Sequence, residues 1–206
     1  MALEEQEPKV NIAEDAGYVP LPTEGVSSKI FVHGGEIFKI NTRNSLGRQR
    51  SDLETLKRIL AEFDDHIPET EVRPCTYREI EYTGVVQRFI KGRELKKLGR
   101  ERILRVLKEN KNNNRAFVEK LLNYFFEAVD RKNLYPDPVG YPADQEFYNS
   151  VNLILEDSTG IIMLCDVGLS PHEDTLNKHG QEFYEEENVR TYVDKMRSFR
   201  NTLSQL

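Results

Sequence analysis

Residues 152–170 read NLILEDSTGIIMLCDVGLS, and the rest of the chain is read outward from them. Two apolar runs, Leu153–Leu155 and Ile161–Cys165, flank the polar segment Glu156–Gly160. That pattern predicts a β-hairpin with a glycine-containing turn. Asn152 opens the first strand and Asp166-Val167-Gly168 closes the second. A hairpin therefore puts an amide and a carboxylate at neighbouring ends of adjacent strands. Oxygen donors so placed suit a hard cation such as Mg²⁺. The plain alternative is that both are ordinary strand-end polar residues, and the remaining sequence has to decide.

Composition narrows the classes. The chain has 206 residues, enough for one domain of two lobes or for two small domains. Its net charge of −6 argues against a general nucleic-acid binder, which would carry a basic excess. Two cysteines, Cys75 and Cys165, make no disulfide framework and fit a reducing compartment. No apolar run is long enough to span a membrane. The acidic start MALEEQEPKV lacks the basic and apolar regions of a cleaved signal peptide. The expected location is the cytoplasm, or the outside of the cell for an effector exported without a cleaved signal.

Residues 1–22 are polar and proline-bearing and are expected to form a flexible acidic arm. EGVSSKIFVHGGEIFKI then predicts two strands joined at Gly34-Gly35. SDLETLKRILAEF has helical apolar spacing. Ser51 and Glu54 have capping-box spacing at its start, with Ser45 as an earlier alternative. Two further strands are expected near Thr70–Tyr77 and Tyr82–Phe89. RELKKLGRERILRVLKEN reads as helix, Lys111–Asn114 as a polar break, and RAFVEKLLNYFFEAVDRKNL as a strong amphipathic helix. An irregular loop at Tyr135–Val151 precedes the hairpin, and a last helix is expected over about Glu186–Ser204. Segregated strand and helix blocks predict an α+β fold of two lobes.

With these motifs in order, the chain resembles the protein kinase-like fold family, including its small and effector-like phosphotransferases, from residue 24 to about 170. The resemblance implies a small β-rich N-lobe over residues 23–90, a truncated helical C-lobe over 91–206, and use of ATP and Mg²⁺. EGVSSKIF resembles the phosphate-covering loop, which makes Gly25, Ser27 and Ser28 the implied phosphate contacts. Lys39, in EIFKI, stands where the family has its strand lysine. Its helix partner is Asp52 by leucine register or Glu54 by residue type. GVVQRFIKGREL resembles the strand and hinge that bind adenine through backbone, implying the Arg88 carbonyl and the Ile90 N–H. The hairpin resembles the family's metal-binding pair, with Asn152 and Asp166 as the implied Mg²⁺ ligands and valine in place of phenylalanine in the Asp-Phe-Gly triplet.

Two departures stand out. The family's catalytic Asp lies five residues before the metal-binding Asn, where this chain has Phe147. Asp137, in NLYPDPVG after the long helix, is the preferred substitute, and Asp144 is the rival. Only 38 residues follow Gly168, so the family's long activation segment is expected to have no room and its peptide-docking surface to be largely missing. The expected function is transfer of the ATP γ-phosphate to a protein or small-molecule hydroxyl, with neither nucleic acid nor membrane as partner. A pseudokinase that binds nucleotide or protein is one alternative. An unrelated α+β interaction protein is another. The four histidines receive no role.

Overall fold

The alternating and helical patterns become two units in the computed structural model. It describes residues 9–13, 16–21, 28–41, 45–130, 135–136, 147–150, 152–166, 169–170 and 186–206. One unit comprises Met1–Asp52 and Pro68–Phe89; the other comprises Leu53–Ile67 and Ile90–Leu206.

The first unit is built on a six-stranded sheet. Its strands are β1 (Val10–Ile12), β2 (Val19–Leu21), β3 (Ser28–His33), β4 (Glu36–Asn41), β5 (Thr70–Tyr77) and β6 (Ile80–Arg88), in the order β1-β5-β6-β4-β3-β2. β1 runs parallel to β5, and the other pairs are antiparallel. The β3–β4 turn is Gly34-Gly35, with φ of +58° and +85°, a two-residue geometry that glycine adopts at the least cost. Phe31, Phe38, Ile40, Cys75, Tyr77 and Val86 form the core of one sheet face. Ile12 joins them at 2% exposure. That burial explains a correction: residues 10–12 and 19–21, expected in a loose arm, are strands. The local composition is polar, but one buried isoleucine and the ladder on β5 hold β1 in place, and β2 adds an edge on β3 that tolerates Pro20.

Helix α1 runs Leu46–Ile59. Its cap is Ser45, whose Oγ accepts the Arg48 N–H at 3.3 Å. The capping box expected at Ser51 is therefore absent, because Ser51 lies inside the helix. Of the expected apolar stripe, Leu53 and Leu56 are buried on α1 and Leu60 and Phe63 just after it, and the polar Gln49 and Asp52 extend the buried side toward the helix start.

The second unit holds β7 (Gly92–Glu94), α2 (Arg100–Glu109), α3 (Asn114–Asp130), β8 (Tyr135–Pro136), β9 (Leu153–Glu156), β10 (Ile162–Leu164), β11 (Leu169–Ser170) and α4 (Glu186–Ser204). Its sheets are β10-β9-β7 and β11-β8. The segment expected as continuous helix from Arg93 is instead a strand and a short 3₁₀ turn, and α2 starts only after Gly99 at φ +76°. Pairing of β7 with β9 prevails over the local helical pattern. Gly92 permits it, since a Cβ there would lie 2.3 Å from the Leu155 carbonyl oxygen. The core gathers Leu56, Ile103, Leu107, Phe117, Leu121, Phe125, Leu153, Leu164, Met196 and Phe199.

The fold class is α+β. A six-stranded sheet unit and a helix-rich unit carrying the hairpin are consistent with the kinase-like fold. No described helix is long and apolar enough to cross a membrane.

Candidate active site

The hairpin forms as the sequence predicts. Leu153, Ile154 and Leu155 pair with Leu164, Met163 and Ile162. The ladder extends one step, the Cys165 N–H donating to the Asn152 carbonyl at 2.8 Å. Asp166 is the next residue, so the two implied ligands share the open end of one hairpin. Asn152 is half-buried and Asp166 exposed. An amide and a carboxylate are oxygen donors of the kind Mg²⁺ takes, one or two carboxylates with phosphate oxygens and water completing the shell. Among the described residues no group of three or more His, Cys, Asp and Glu could hold a metal without such co-ligands.

The hairpin is held by residues that sequence reading passed over. β10 is the edge of its sheet, and an edge leaves backbone groups to be satisfied. The Ile162 N–H donates to Asn114 Oδ1 at 2.8 Å, and Asn114 Nδ2 donates to the Gly160 carbonyl at 2.8 Å. Asn112 Nδ2 donates to the Thr159 carbonyl at 2.7 Å. The His66 ring nitrogens lie 2.8 Å from the Ile162 carbonyl and 3.0 Å from the Asn112 carbonyl. A neutral imidazole donates from one of them, by tautomer. His66 is fully buried and stacks on Phe117 at 4.3 Å. The polar break Lys111–Asn114 is thus a fastening. Asn112 and Asn113 sit at φ +57° and +56°, which asparagine tolerates better than most residues. The only sequence signal was the asparagine run itself.

Lys39 lies on β4 between Ile30 on β3 and Val85 on β6. Its neighbours Phe38 and Ile40 enter the core, so strand alternation turns Lys39 to the opposite face, where it is half-buried. Of its two candidate partners, Asp52 is on the buried stripe of α1 at 3% exposure, with Arg48 Nε 3.8 Å from its carboxylate. Glu54 is exposed. On the same helix Arg50 donates through Nε and Nη2 to the Val72 carbonyl, both at 3.2 Å, which fastens α1 to β5.

Arg88 ends β6 opposite Glu36, and its N–H donates to the Glu69 carbonyl at 3.0 Å. Phe89 donates to the Gly35 carbonyl at 2.8 Å, while Ile90 is buried. Ser28 opens β3 opposite Asn41. Gly25, Ser27, Asp137, Asp144, Val167 and Gly168 lie outside the described residues. Phe147, five before Asn152, is fully buried and stacked on Phe199 with centroids 4.0 Å apart, so that position belongs to the core.

Burial pushes the Cys75 thiol up to about 11, and it also raises Tyr18 and Tyr124 above the ordinary tyrosine value. Cys75 is accordingly an inert core residue.

No protein-family model matches the chain, and no curated protein matches it in sequence. Among solved structures it is similar to the aminoglycoside phosphotransferase APH(3'')-Id from Streptomyces rimosus, with a TM-score of 0.43 and 13% identity over 88% of this chain and 93% of that one. That likeness is too distant to transfer a residue role or a substrate.

Proposed function

We propose that the protein is a reduced kinase-like phosphotransferase that uses Mg²⁺ and ATP. The observation that supports the reading is the hairpin end itself, where the Cys165 N–H donates to the Asn152 carbonyl and Asp166 follows as the next residue. In this reading the two side chains hold Mg²⁺ on the nucleotide phosphates, and the metal neutralises charge developing on the transferred group. Lys39 binds phosphate oxygens, with Asp52 on the buried stripe of α1 as its helix partner. Gly25, Ser27 and Ser28 cover the phosphates, and the backbone at Arg88 and Ile90 receives adenine. Asp137, or in second place Asp144, orients the acceptor hydroxyl of a protein or small molecule.

The core position of Phe147 favours a second reading, a pseudokinase that binds nucleotide without transferring phosphate. The test is thermal melting with ATP and Mg²⁺, together and separately, followed by γ-phosphate transfer to protein and small-molecule acceptors. Ligand present at 100 times its Kd adds roughly 2.7 kcal/mol to the native state. Stabilisation that needs both ATP and Mg²⁺, with transfer abolished by Asp137→Asn, supports the enzyme. Stabilisation without any transfer supports the pseudokinase. Absence of any shift rejects both.

A further inference from the structure

Charge is unevenly distributed along this acidic chain. Residues 91–115 contain ten Lys or Arg and three Asp or Glu, a net +7. Since the whole chain carries −6, the remainder carries −13. The basic segment centres on α2 in the second unit. Ile103 and Leu107 bury one side of α2. Arg100, Arg102, Arg105 and Lys108 are all exposed.

These cations differ in how they are occupied. Lys96 and Lys97 lie near Glu94, Arg115 near Glu119 and Lys111 near Glu109. The Arg100 guanidinium lies 5.1 Å from the centre of the Tyr148 ring. Arg102, Arg105 and Lys108 have no ion-pair partner among the described residues, although most of the chain is acidic. Leu98, Arg102, Arg105, Val106 and Glu109 follow helical spacing and line a surface groove of about 730 Å³ together with Gly99, Arg100 and Glu101, so that three arginines outnumber two glutamates there. Leu98 and Val106 are half-buried and give the groove an apolar floor.

We propose that this groove docks an acidic peptide segment of a partner protein, one that places apolar side chains between its carboxylates. Guanidinium groups at the wall suit carboxylates, which they bind with two parallel hydrogen bonds. The apolar floor would be wasted on a uniformly charged polymer. Among the described residues no aromatic side chain lines the groove to stack a nucleic-acid base. The net −13 of the rest of the chain opposes a long polyanion or an anionic membrane, whereas a short segment stays within the patch, because charges are screened beyond about 8 Å at physiological salt. The ten residues of α2 span about 15 Å, the reach of roughly five extended residues. The proposal is independent of phosphoryl transfer.

The test is binding of a labelled random copolymer of glutamate and tyrosine to the full chain without nucleotide. Polyglutamate, oligothymidylate and phosphatidylserine vesicles are run in parallel. The copolymer should bind more tightly than the other three and weaken at least about tenfold between low and high salt. Arg102→Glu with Arg105→Glu should abolish binding and leave the melting temperature unchanged. Val106→Ser should weaken it without altering charge. The same two-charge reversal at the exposed Lys57 and Arg58 of α1 should have no effect. Failure of the copolymer to bind, equal binding of polyglutamate, preference for oligothymidylate or vesicles, or equal loss from the α1 variant would each overturn the proposal.

Discussion

The Cys165 N–H and the Asn152 carbonyl are 2.8 Å apart, one ladder step beyond the Leu153–Leu164 pair. That bond brings Asn152 and the residue before Asp166 together at the open end of the hairpin. If they hold Mg²⁺ on a nucleotide, Asp166→Ala should remove the Mg²⁺-dependent part of ATP stabilisation and leave any metal-independent part in place. Asn152→Leu should do the same to a smaller extent, since an amide oxygen is the weaker ligand. Melting curves with Mg²⁺ and with chelator decide it. An unchanged Mg²⁺-dependent shift in Asp166→Ala removes the metal assignment.

Asn114 satisfies one donor and one acceptor of the β9–β10 segment while itself only 1% exposed. Replacement by leucine strands the Ile162 N–H and the Gly160 carbonyl. Each unsatisfied buried group costs about 1–3 kcal/mol, so Asn114→Leu should lose about 2–4 kcal/mol in urea unfolding. Asn112 bonds the same turn from an exposed position, and Asn112→Ser should lose only about 1 kcal/mol. Equal costs would mean that the exposed bond holds the hairpin as firmly as the buried ones.

Two glycines give opposite signs for one substitution. A Cβ at Gly92 would meet the Leu155 carbonyl oxygen at 2.3 Å, so Gly92→Ala should force β7 from β9 and cost about 1–3 kcal/mol. Gly47 lies in the first turn of α1, and a Cβ added there would meet nothing within 4 Å. At that position alanine should stabilise by about 0.5–1 kcal/mol. Urea midpoints of the two variants check both signs, and a neutral Gly92→Ala would mean that the strands can separate at no cost.

The features legible in the sequence were those with a period. The β9–β10 hairpin, α3 and α4 follow their apolar spacing, and Gly34-Gly35 marks its turn. What was not legible depended on partners far along the chain. Val10–Ile12 is a strand because Cys75 and Tyr77 are buried beside Ile12, 63 or more residues away in sequence. Gly92–Glu94 is a strand because β9 pairs with it. His66 shows no motif, since its partners Asn112 and Ile162 are 46 and 96 residues distant. The choice between Asp52 and Glu54 turned on helix phase, and burial of one residue decides which of the two is on the packed side.

Cys75 makes stability depend on alkaline pH. Its folded value of about 11 lies above the ordinary thiol value of 9.0. The unfolded chain therefore loses this proton first. Stability from this group is fully present below pH 9 and falls as pH rises toward 11, by on the order of 2–3 kcal/mol. Cys75→Ala should be less stable than wild type at pH 8, because it leaves a cavity, yet should lose less of its stability between pH 8 and 10.5. Parallel slopes in the two proteins would show that the thiol is not the group responsible.

The role of Lys39 is the sharpest division between a phosphate-binding site and a structural strand. Lys39→Met keeps the apolar stem and deletes the charge. A lysine that only extends to water contributes little, and its replacement should change neither melting nor ATP affinity. A lysine that binds phosphate oxygens should give a variant that folds normally and transfers phosphate orders of magnitude more slowly. Asp52 and Glu54 then discriminate the helix partner. Asp52 is buried at 3% exposure beside Arg48, so Asp52→Ala should reproduce the loss of transfer and also lower stability, because Arg48 loses the carboxylate that now lies 3.8 Å away. Glu54 is exposed, and Glu54→Ala should leave both nearly unchanged, as surface substitutions do within about 0.5 kcal/mol. Asp52→Asn separates the two effects of Asp52, since it keeps the shape and removes the charge. Transfer lost in Asp52→Asn with melting retained identifies an electrostatic partner of Lys39. Transfer retained in Asp52→Asn and lost in Glu54→Ala would reverse the assignment and place the phosphate-side charge on the exposed face of α1.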